Sequence, residues 1–417
     1  MIAPPSPGGV RRASVFDDPQ GRAPAVERAR PGAAGRPRIL FVTPSSPFEL
    51  SSGTQQRSHF LLRALKRMAD VDVVVLAVGN SITTTRSSAE AVRVCMATAP
   101  ERRDLARFAP NPELTRQVEQ ALGTRLQDYA MVLGRYMWAG TQLAIPRDVP
   151  IVVDLDDFRY RYGPGAAWTP KMLLERSRKW LSRRLAVRHL KRFRAAFFAS
   201  PLEQASMPID SMFLPNVPLV VPPRVRFESE GQRILFVASL WYRPNRDGAD
   251  WFVERVWPRI RQRRPDATLK LVGAAAPEVR ARWIRHRGVD APGFANDLDA
   301  EYEQAALVVV PIHSGGGSNI KLLEALAHGR ACVATRFCLE PFRDELREGV
   351  DIVAADDAEA FAKHCLDLLD DATRRSRLAR SGHAAVLASF TQARFDAVVA
   401  AMIRKVCRDA GSSLRVG

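Results

Sequence analysis

A run of three glycines, followed by a lysine and a glutamate on one helical face, is the part of this sequence best suited to chemistry. The glycines Gly315–Gly317 allow the backbone to approach a ligand closely, because they carry no Cβ. We expect Ser318 to cap a helix that begins at Ile320. The unpaired N–H groups of a helix start favour a phosphate or pyrophosphate. Lys321 would add a cation, and Glu324 a carboxylate that can bind hydroxyl groups.

The residues around this loop predict a strand, the loop itself and a helix. Residues 307–312 are a short apolar run typical of a buried strand. Leu322 and Leu326 fall on the sheet side of the helix, which Gly329 ends. The loop matches neither GxxxxGK[ST] nor GxGxxG, so it is neither a Walker loop nor a dinucleotide fingerprint. A glycine turn with a solvated Lys–Glu pair is the alternative for this motif taken alone.

The composition is that of a globular protein of roughly two to three domains. The 417 residues are 46% hydrophobic and 26% charged, and no apolar run approaches the ~20 residues of a membrane span. The N-terminus has no apolar signal core. Five cysteines without CxxC spacing indicate a reducing compartment and argue against structural zinc. A cytoplasmic location is therefore expected.

A net charge of +17 indicates an anionic partner, such as a membrane surface, nucleic acid or a phosphorylated substrate. No nucleic-acid-binding motif is recognisable, so nucleic acid is not expected as a partner. Arginines and lysines concentrate within residues 171–194, where apolar residues are interleaved at helical spacing. This segment predicts a basic amphipathic helix that lies either on an anionic membrane or on the sheet with a solvated basic face.

Strands and helices alternate in two halves of similar size, which predicts an α/β protein with two Rossmann-like domains facing across a central cleft. The predicted organisation is a disordered basic tail (1–36), an N-terminal Rossmann-like domain (37–215), a proline-rich linker (216–232), a C-terminal Rossmann-like domain (233–390), and a C-terminal helix packing back toward the N-terminal domain (391–417).

In open α/β sheets, ligands bind at the carboxyl ends of the strands. The loop after the first strand and the end of a later strand therefore supply Gly53, Thr54, Arg57 and Arg135 as candidates for one wall of a ligand site. The candidates for a catalytic base in this domain are Glu49, His59 and Asp154.

An apolar strand that ends in Asp154 and Asp156 offers an alternative reading. Hard divalent cations prefer carboxylate oxygens, and alternate residues of a strand point to the same side. Acidic residues at strand ends are also common helix caps. No metal is therefore assigned, and the metal site remains an alternative.

The second half of the chain resembles the C-terminal domain of GT-B glycosyltransferases of the group 1, glycogen-synthase-like family. The segments FVASLWYRPNRDGADWF, LKLVG and GFANDLDAEYEQ…GGGSNIKLLEALAHGRACVAT carry the resemblance, in the order expected for that family. The first half is similar at RILFVTPSSP, GTQQRSHFLLRAL and VVDLDDFRYRY. The resemblance implies a GT-B fold and a nucleotide-diphospho-sugar donor, with no cofactor.

The resemblance also assigns donor-site roles to particular residues. Glu324 matches the second glutamate of the family's Glu-x7-Glu signature, which binds the ribose, whereas Gly316 stands where the first glutamate is expected. Cations for the diphosphate would come from Lys321 with Arg243 or Arg246. The donor-site residues are Ser239, Arg243, Arg246, Asp297, Leu298, His313, Gly315, Gly316, Gly317, Ser318, Asn319, Lys321 and Glu324.

The function implied is metal-independent transfer of a sugar to a saccharide or lipid-linked acceptor, in cell-envelope or exopolysaccharide biosynthesis, in the cytoplasm or peripherally on the inner face of the membrane. Two alternatives remain at this point. One is a GT-B relative that epimerises a nucleotide-sugar, and the other is a non-enzymatic basic protein that binds membranes or nucleic acid.

Overall fold

The computed structural model describes residues 36–409, except 51, 81, 102–107, 157–160, 163–176, 178–179, 181–183, 185–186, 206, 230 and 317–318. The described residues belong to a single compact unit. The predicted tail (1–36), apart from residue 36, and most of the predicted basic helix (171–194) lie outside the described residues.

The first half is built on an eight-stranded sheet of order β3-β4-β2-β1-β5-β6-β8-β9, in which every pair is parallel except β3 with β4. Its central strands are apolar on both faces, as expected for strands covered by helices on both sides. The strands are β1 (Arg38–Thr43), β2 (Asp70–Gly79), β3 (Thr83–Ala89), β4 (Val92–Pro100), β5 (Met131–Arg135), β6 (Ile151–Leu155), β8 (Ala195–Phe198) and β9 (Ser211–Phe213), with a short separate strand β7 (Arg161–Tyr162).

The second half is built on a six-stranded, fully parallel sheet of order β12-β11-β10-β13-β15-β16. In each sheet the strand order reverses beside the first strand, so a crevice opens between β1 and β5 and between β10 and β13. The strands are β10 (Arg233–Val237), β11 (Thr268–Val272), β12 (Val289–Gly293), β13 (Leu307–Val310), β15 (Ala331–Ala334) and β16 (Val353–Ala354), with a short separate strand β14 (Ser314–Gly315).

Helices cover both sheets and place their apolar faces on them. The helices are α1 (Gly53–Lys66), α2 (Pro112–Leu122), α3 (Met137–Gln142), α4 (Pro201–Ala205), α5 (Arg243–Trp251), α6 (Trp257–Arg263), α7 (Pro277–Trp283), α8 (Leu298–Glu303), α9 (Ile320–Ala327), α10 (Arg336–Leu339), α11 (Ala358–Asp370), α12 (Ala372–Ser389) and α13 (Gln392–Asp409). A π-turn at Phe252–Val256 joins α5 to α6, and short 3-10 turns occur at Leu126–Asp128, Leu190–Arg192 and Glu340–Phe342.

The last described helix, α13, lies against α1 of the first half. The rings of Phe60 and Phe395 are 6.0 Å apart, and Arg67 pairs with Asp396 at 2.6 Å. Residues 372–409 are long and apolar enough to span a membrane by length and composition alone. They divide into α12 and α13, however, and α13 buries residues such as Phe395 in the same core as α1. This packing favours a core role for that stretch.

Some local features carry little signal in the sequence. The antiparallel strand β3 beside β4 is one, because its exposed Thr and Ser residues carry no apolar alternation. Helix α5 begins at Arg243, where Pro244 fits the first turn of a helix. The cap of α9 is Asn319, whereas Ser318 lies outside the described residues.

Candidate functional site

The glycine loop connects the end of β13 to the start of α9. Gly315 has φ 142°, a conformation that side chains rarely adopt, and a Cβ there would lie 3.5 Å from Pro244. Gly316 is half-buried, and Gly317 lies outside the described residues. Asn319 caps α9 without a capping hydrogen bond from its side chain. The backbone N–H groups at the start of α9 therefore remain suited to an anion.

The loop after β10 and the start of α5 form the second wall of the candidate site. The carbonyl of Ser239 accepts a hydrogen bond from the Asn245 side chain at 2.9 Å, which fixes this turn. A Cβ at Gly248 would lie 2.6 Å from the carbonyl oxygen of Pro311, so α5 packs directly on the chain that leads into the glycine loop. This contact explains how the two loops come to lie side by side at the crevice.

Arg243 and Arg246 lie on the first turn of α5 and not in a loop. Arg243 approaches Asp247 at 3.4 Å, where both side chains are about half exposed. Burial raises the pKa of Asp247 despite the neighbouring arginines. Arg243 precedes Pro244 and Arg246 follows it by two positions. A Cβ on Gly315 would lie 3.5 Å from Pro244, so this first turn of α5 lies beside the glycine loop.

Lys321 lies in the first turn of α9 and is half-buried. Among the described residues no carboxylate lies within salt-bridge distance of its ammonium, and its Nζ is 3.4 Å from the Asn319 side-chain oxygen. Burial lowers the pKa of Lys321, and the charges of Cys338 and Glu324 oppose this effect. Burial and the helix dipole both disfavour a cation at a helix start, and a bound anion would stabilise its charge.

Glu324 lies one turn further along α9, on the same face as Lys321. Burial raises the pKa of Glu324, while the charges of His328 and Lys321 lower it. The predicted Lys–Glu pair does not form a salt bridge, because the two charged groups are not within bonding distance. Each side chain is therefore available to a ligand.

Two further polar groups near the loop are buried without a protein partner among the described residues. Both ring nitrogens of His313 and the side-chain nitrogen of Asn319 lack hydrogen bonds. Burial lowers the pKa of His313, whose ring packs edge-on against Trp251 at 4.5 Å. Buried polar groups normally have partners, so these atoms are the expected contacts of a bound molecule.

Asp297 and Leu298 lie at the start of α8, beside the end of β12. The Asp297 side chain caps this helix by accepting from the Ala300 N–H at 3.0 Å, and Leu298 is 44% exposed. Asp297 and Leu298 are both exposed at this helix start, and their place in the donor site stays a prediction from the resemblance.

The first half approaches the donor loop at two points. A Cβ at Gly53 would lie 3.7 Å from Ile320, so the starts of α1 and α9 are adjacent. The short strands β7 and β14 pair antiparallel, which joins Arg161 to Gly315 through the backbone. The glycine loop is therefore contacted by residues of both halves.

Beneath the N-terminal side of this crevice lies a buried cluster of two arginines and two aspartates. Arg57 donates to both Asp154 oxygens, the shortest contact being 2.6 Å. Arg135 donates to Asp156 at 2.8 Å and to the Thr54 carbonyl at 2.5 Å. Arg57 and Arg135 are 1% and 0% exposed. Although burial alone would raise it, the charges of Arg135 and Arg57 lower the pKa of Asp156.

This cluster bears on several predictions. Both Asp154 oxygens accept from Arg57 and Asp154 is completely buried, which argues against Asp154 as a catalytic base. The sequence predicts that Arg57 and Arg135 line the site, but both guanidinium groups are buried beneath the loop, which favours a structural role for them. Sequence order could not show this, because the four residues meet only when β5, β6 and α1 come together.

Glu49 and His59, the other base candidates, are more accessible. Glu49 is exposed and accepts from the Gln55 side chain at 2.8 Å, and the His59 Nδ1 lies 3.1 Å from the Pro47 carbonyl. No cluster of three or more potential metal ligands occurs among the described residues.

Comparisons with known proteins place this geometry in a class. Residues 231–371 match the sequence model of the family described as "Glycosyl transferases group 1". The solved structure of sucrose-phosphate synthase from Thermosynechococcus elongatus is similar with a TM-score of 0.67, at 17% identity, over 90% of this chain and 100% of that one. The described residues therefore have the GT-B fold, which confirms the fold prediction. The segment 231–371 resembles the group 1 glycosyltransferases, in agreement with the resemblance seen in the sequence.

Two further similarities are more specific in their descriptions. Anabaena HepE, solved in complex with UDP and glucose, is similar with a TM-score of 0.62, at 14% identity, over 89% of this chain and 100% of that one. An uncharacterised protein in the cps region of Klebsiella pneumoniae is 24% identical over 37% of this chain. That match spans only 42% of the Klebsiella protein's length.

Proposed function

We propose that this protein transfers a sugar from a nucleotide-diphospho-sugar to a saccharide or lipid-linked acceptor. The observation that carries the proposal is Lys321, a half-buried cation with no carboxylate within salt-bridge distance among the described residues, at the start of a helix that follows a glycine loop. A diphosphate is the anion that this arrangement suits best. The complex of HepE with UDP and glucose supports the same ligand class.

The chemistry follows from the charges at the site. As the bond between sugar and diphosphate breaks, negative charge grows on the leaving group, and fixed cations and helix-start N–H groups stabilise it. Lys321 supplies one cation, and Arg243 or Arg246 supplies the other from the start of α5. Glu324 would accept hydrogen bonds from the ribose hydroxyls. The unpartnered His313 and Asn319 side chains complete the pocket toward the sugar.

We propose that the reaction needs no metal and no cofactor. The two aspartates that could have held a cation, Asp154 and Asp156, are bound to Arg57 and Arg135, which supports this view. A catalytic base, if the reaction inverts the sugar, would be Glu49 or His59, the accessible candidates on the acceptor side. Sugar transfer measured with and without EDTA tests whether the reaction needs a metal. Loss of activity that Mn²⁺ or Mg²⁺ restores would contradict metal independence.

Two observations bear on the acceptor class. The relative in a cps region and the strongly basic chain favour a polysaccharide precursor on or near the cytoplasmic face of a membrane. Within the basic segment 171–194, Trp180 is 55% exposed and its ring lies 4.3 Å from the Arg184 guanidinium. Such a pairing suits an anionic interface.

The donor experiment screens UDP-, GDP- and ADP-sugars by thermal shift and then measures nucleoside diphosphate release with acceptor extracts. Binding of one nucleotide class, with acceptor-dependent release, is expected. Absence of binding to all of them would contradict the proposal.

A second experiment tests membrane association by flotation with vesicles that contain phosphatidylserine. It compares wild type, the double variant Arg184→Glu with Arg188→Glu, and the control Arg116→Glu on α2. Equal flotation of all three would remove the membrane role.

A further inference from the structure

Arg57 lies where the two connections between the halves of the protein meet. It belongs to α1, is 1% exposed and donates to Asp154 on β6 at 2.6–3.1 Å. Its Nη1 donates to the carbonyl of Leu214 at 3.0 Å and to the side-chain oxygen of Asn216 at 2.8 Å, where the chain leaves the first half. Its guanidinium lies 5.9 Å from the ring centroid of Phe395 on α13, where the chain returns. One buried side chain therefore contacts both connections.

These contacts depend on the shape of a guanidinium. Its planar fork can donate to a carboxylate and to carbonyl oxygens in different directions at the same time, whereas a lysine ammonium is a compact point charge. The Asp154 carboxylate offsets the charge of Arg57 in the core, so the guanidinium can remain buried while its other edge holds the chain. The bonds to Leu214 and Asn216 are additional to this ion pair.

The connecting segment, residues 214–229, is held at both of its ends. On the first half, Arg57 binds its start. On the second half, Arg375 of α12 donates to the Ser229 carbonyl at 2.6 Å. Residues 218–224 between these points contain three prolines and are largely exposed. The placement of one half against the other therefore depends on where Arg57 fixes this segment.

Arg57 also lies one helical turn from the start of α1, which reaches the donor loop. A Cβ at Gly53 would lie 3.7 Å from Ile320, the first residue of α9. Helix α9 carries Lys321 and Glu324. Through α1, the residue that holds both connections is thus one turn from the point where the first half meets the glycine loop.

We propose that Arg57 is a positioning residue for sugar transfer, which fixes both connections on the first half and so sets the placement of that half against the glycine loop. This inference rests on the proposed function. The groups assigned to the donor lie on the second half, so nucleotide binding alone does not require Arg57. The transfer step does, because the acceptor must be brought to the sugar, and a misplacement of about 1 Å can lower a rate about 100-fold.

Two variants test this role. Arg57→Lys keeps a positive charge beside Asp154 but lacks the fork that reaches the connecting segment. Asn216→Ala leaves Arg57 with Asp154 and removes the side-chain contact at 2.8 Å. Arg93→Lys is the matched control, because Arg93 also donates to a buried carboxylate of the first half, that of Asp72 at 2.7 Å, while none of its described contacts involves either connection.

The kinetic measurement compares steady-state sugar transfer with the Kd of the nucleoside diphosphate found in the screen. Both test variants are expected to lower kcat about 10-fold or more and to leave that Kd unchanged. Arg93→Lys should preserve kcat and Kd. Each protein is assayed at a temperature at which circular dichroism shows it to be folded, so a residue that only stabilises the fold would not change kcat.

A second measurement does not depend on the reaction. Spin labels are attached at Gln127→Cys on the first half and Glu359→Cys on the second, since both positions are exposed and the five native cysteines are buried. The distribution of distances between the two labels is expected to shift or broaden in Arg57→Lys and Asn216→Ala. It should stay as in wild type in Arg93→Lys.

The outcomes separate the two proposals. If wild type neither binds a nucleoside diphosphate nor transfers sugar, the proposed function is wrong, and an unchanged distance distribution in the variants would refute the positioning role as well. If wild type transfers sugar but both variants keep its kcat and its distances, only the positioning role is refuted. An equal loss of kcat in Arg93→Lys would also refute it. If Arg57→Lys does not fold, Asn216→Ala decides.

Discussion

Replacement of Lys321 by methionine should separate ligand binding from stability. Methionine keeps a similar length and removes the charge, which burial disfavours in the unliganded protein. Because no carboxylate among the described residues pairs with the ammonium, we expect the free energy of unfolding without ligand to stay the same or to rise slightly. A lysine held in a structural ion pair would instead leave a buried partner uncompensated and destabilise the protein.

The effect on the ligand follows from one charge-assisted contact. Nucleoside diphosphate at 100 times its Kd adds about 2.7 kcal/mol to wild-type stability. Loss of a contact of about 1.5–3 kcal/mol raises Kd roughly 12- to 160-fold. At the same ligand concentration the added stability then falls to about 0.3–1.3 kcal/mol.

The assay is thermal or denaturant unfolding with and without the nucleotide found in the screen. Lys363→Met is the matched control, because Lys363 is exposed and pairs with Asp367 on the surface of α11. A Lys321→Met protein that keeps the full ligand-induced gain, or one that loses several kcal/mol of stability without ligand, would refute the reasoning.

Three further predictions concern the scaffold. Asp154→Asn removes the carboxylate that Arg57 bonds at 2.6 Å and leaves the two buried arginines with Asp156 as their remaining partner in the cluster. It should lower the free energy of unfolding by about 3–5 kcal/mol; a loss below about 1 kcal/mol in denaturant titration would contradict the structural role. The pKa of Asp156 is lowered from its ordinary value of 3.8, so its contribution to the free energy of unfolding is complete above that pH and is lost as the pH falls further. Asp156→Asn should therefore make the free energy of unfolding depend less on pH in this acidic range. An unchanged pH dependence there would show that Asp156 is not the group responsible. Gly248→Ala places a Cβ 2.6 Å from the Pro311 carbonyl oxygen, so it should lower the free energy of unfolding by about 1–3 kcal/mol and weaken donor binding. The control Gly231→Ala places its Cβ no closer than 3.7 Å to any atom and should do neither. Equal melting temperatures of the two variants would argue against close packing of α5 on the donor loop.

Much of the fold could be predicted from sequence because its signals are local. Apolar runs such as Arg38–Thr43 and Leu307–Val310 mark central strands, and the glycine loop with Lys321 and Glu324 marks the donor side. The alternation of strands and helices also predicts a parallel sheet, and the glycine loop lies at the end of β13, beside the point where the strand order of that sheet reverses.

The errors arose where a residue's role depends on partners far away in the chain. Asp154 and Arg57 carry the residue types of an active site, yet 97 positions of sequence separate two groups that neutralise each other in the core. The pairing of His328 with Asp299 and the backbone pairing of Arg161 with Gly315 likewise have no local signature. A sequence shows which groups can do chemistry, but burial decides which of them meet a substrate.

The position of α13 has a consequence for the order in which the chain can fold during synthesis. The side of α1 that carries Phe60 is covered by Phe395, and two further ion pairs, Arg194 with Asp409 and Lys405 with Asp210, secure the same helix to the first half. A domain usually folds once its own residues leave the ribosome. Here Phe60 is made more than 300 residues before Phe395, so the N-terminal half keeps this apolar face of α1 uncovered until α13 has been made.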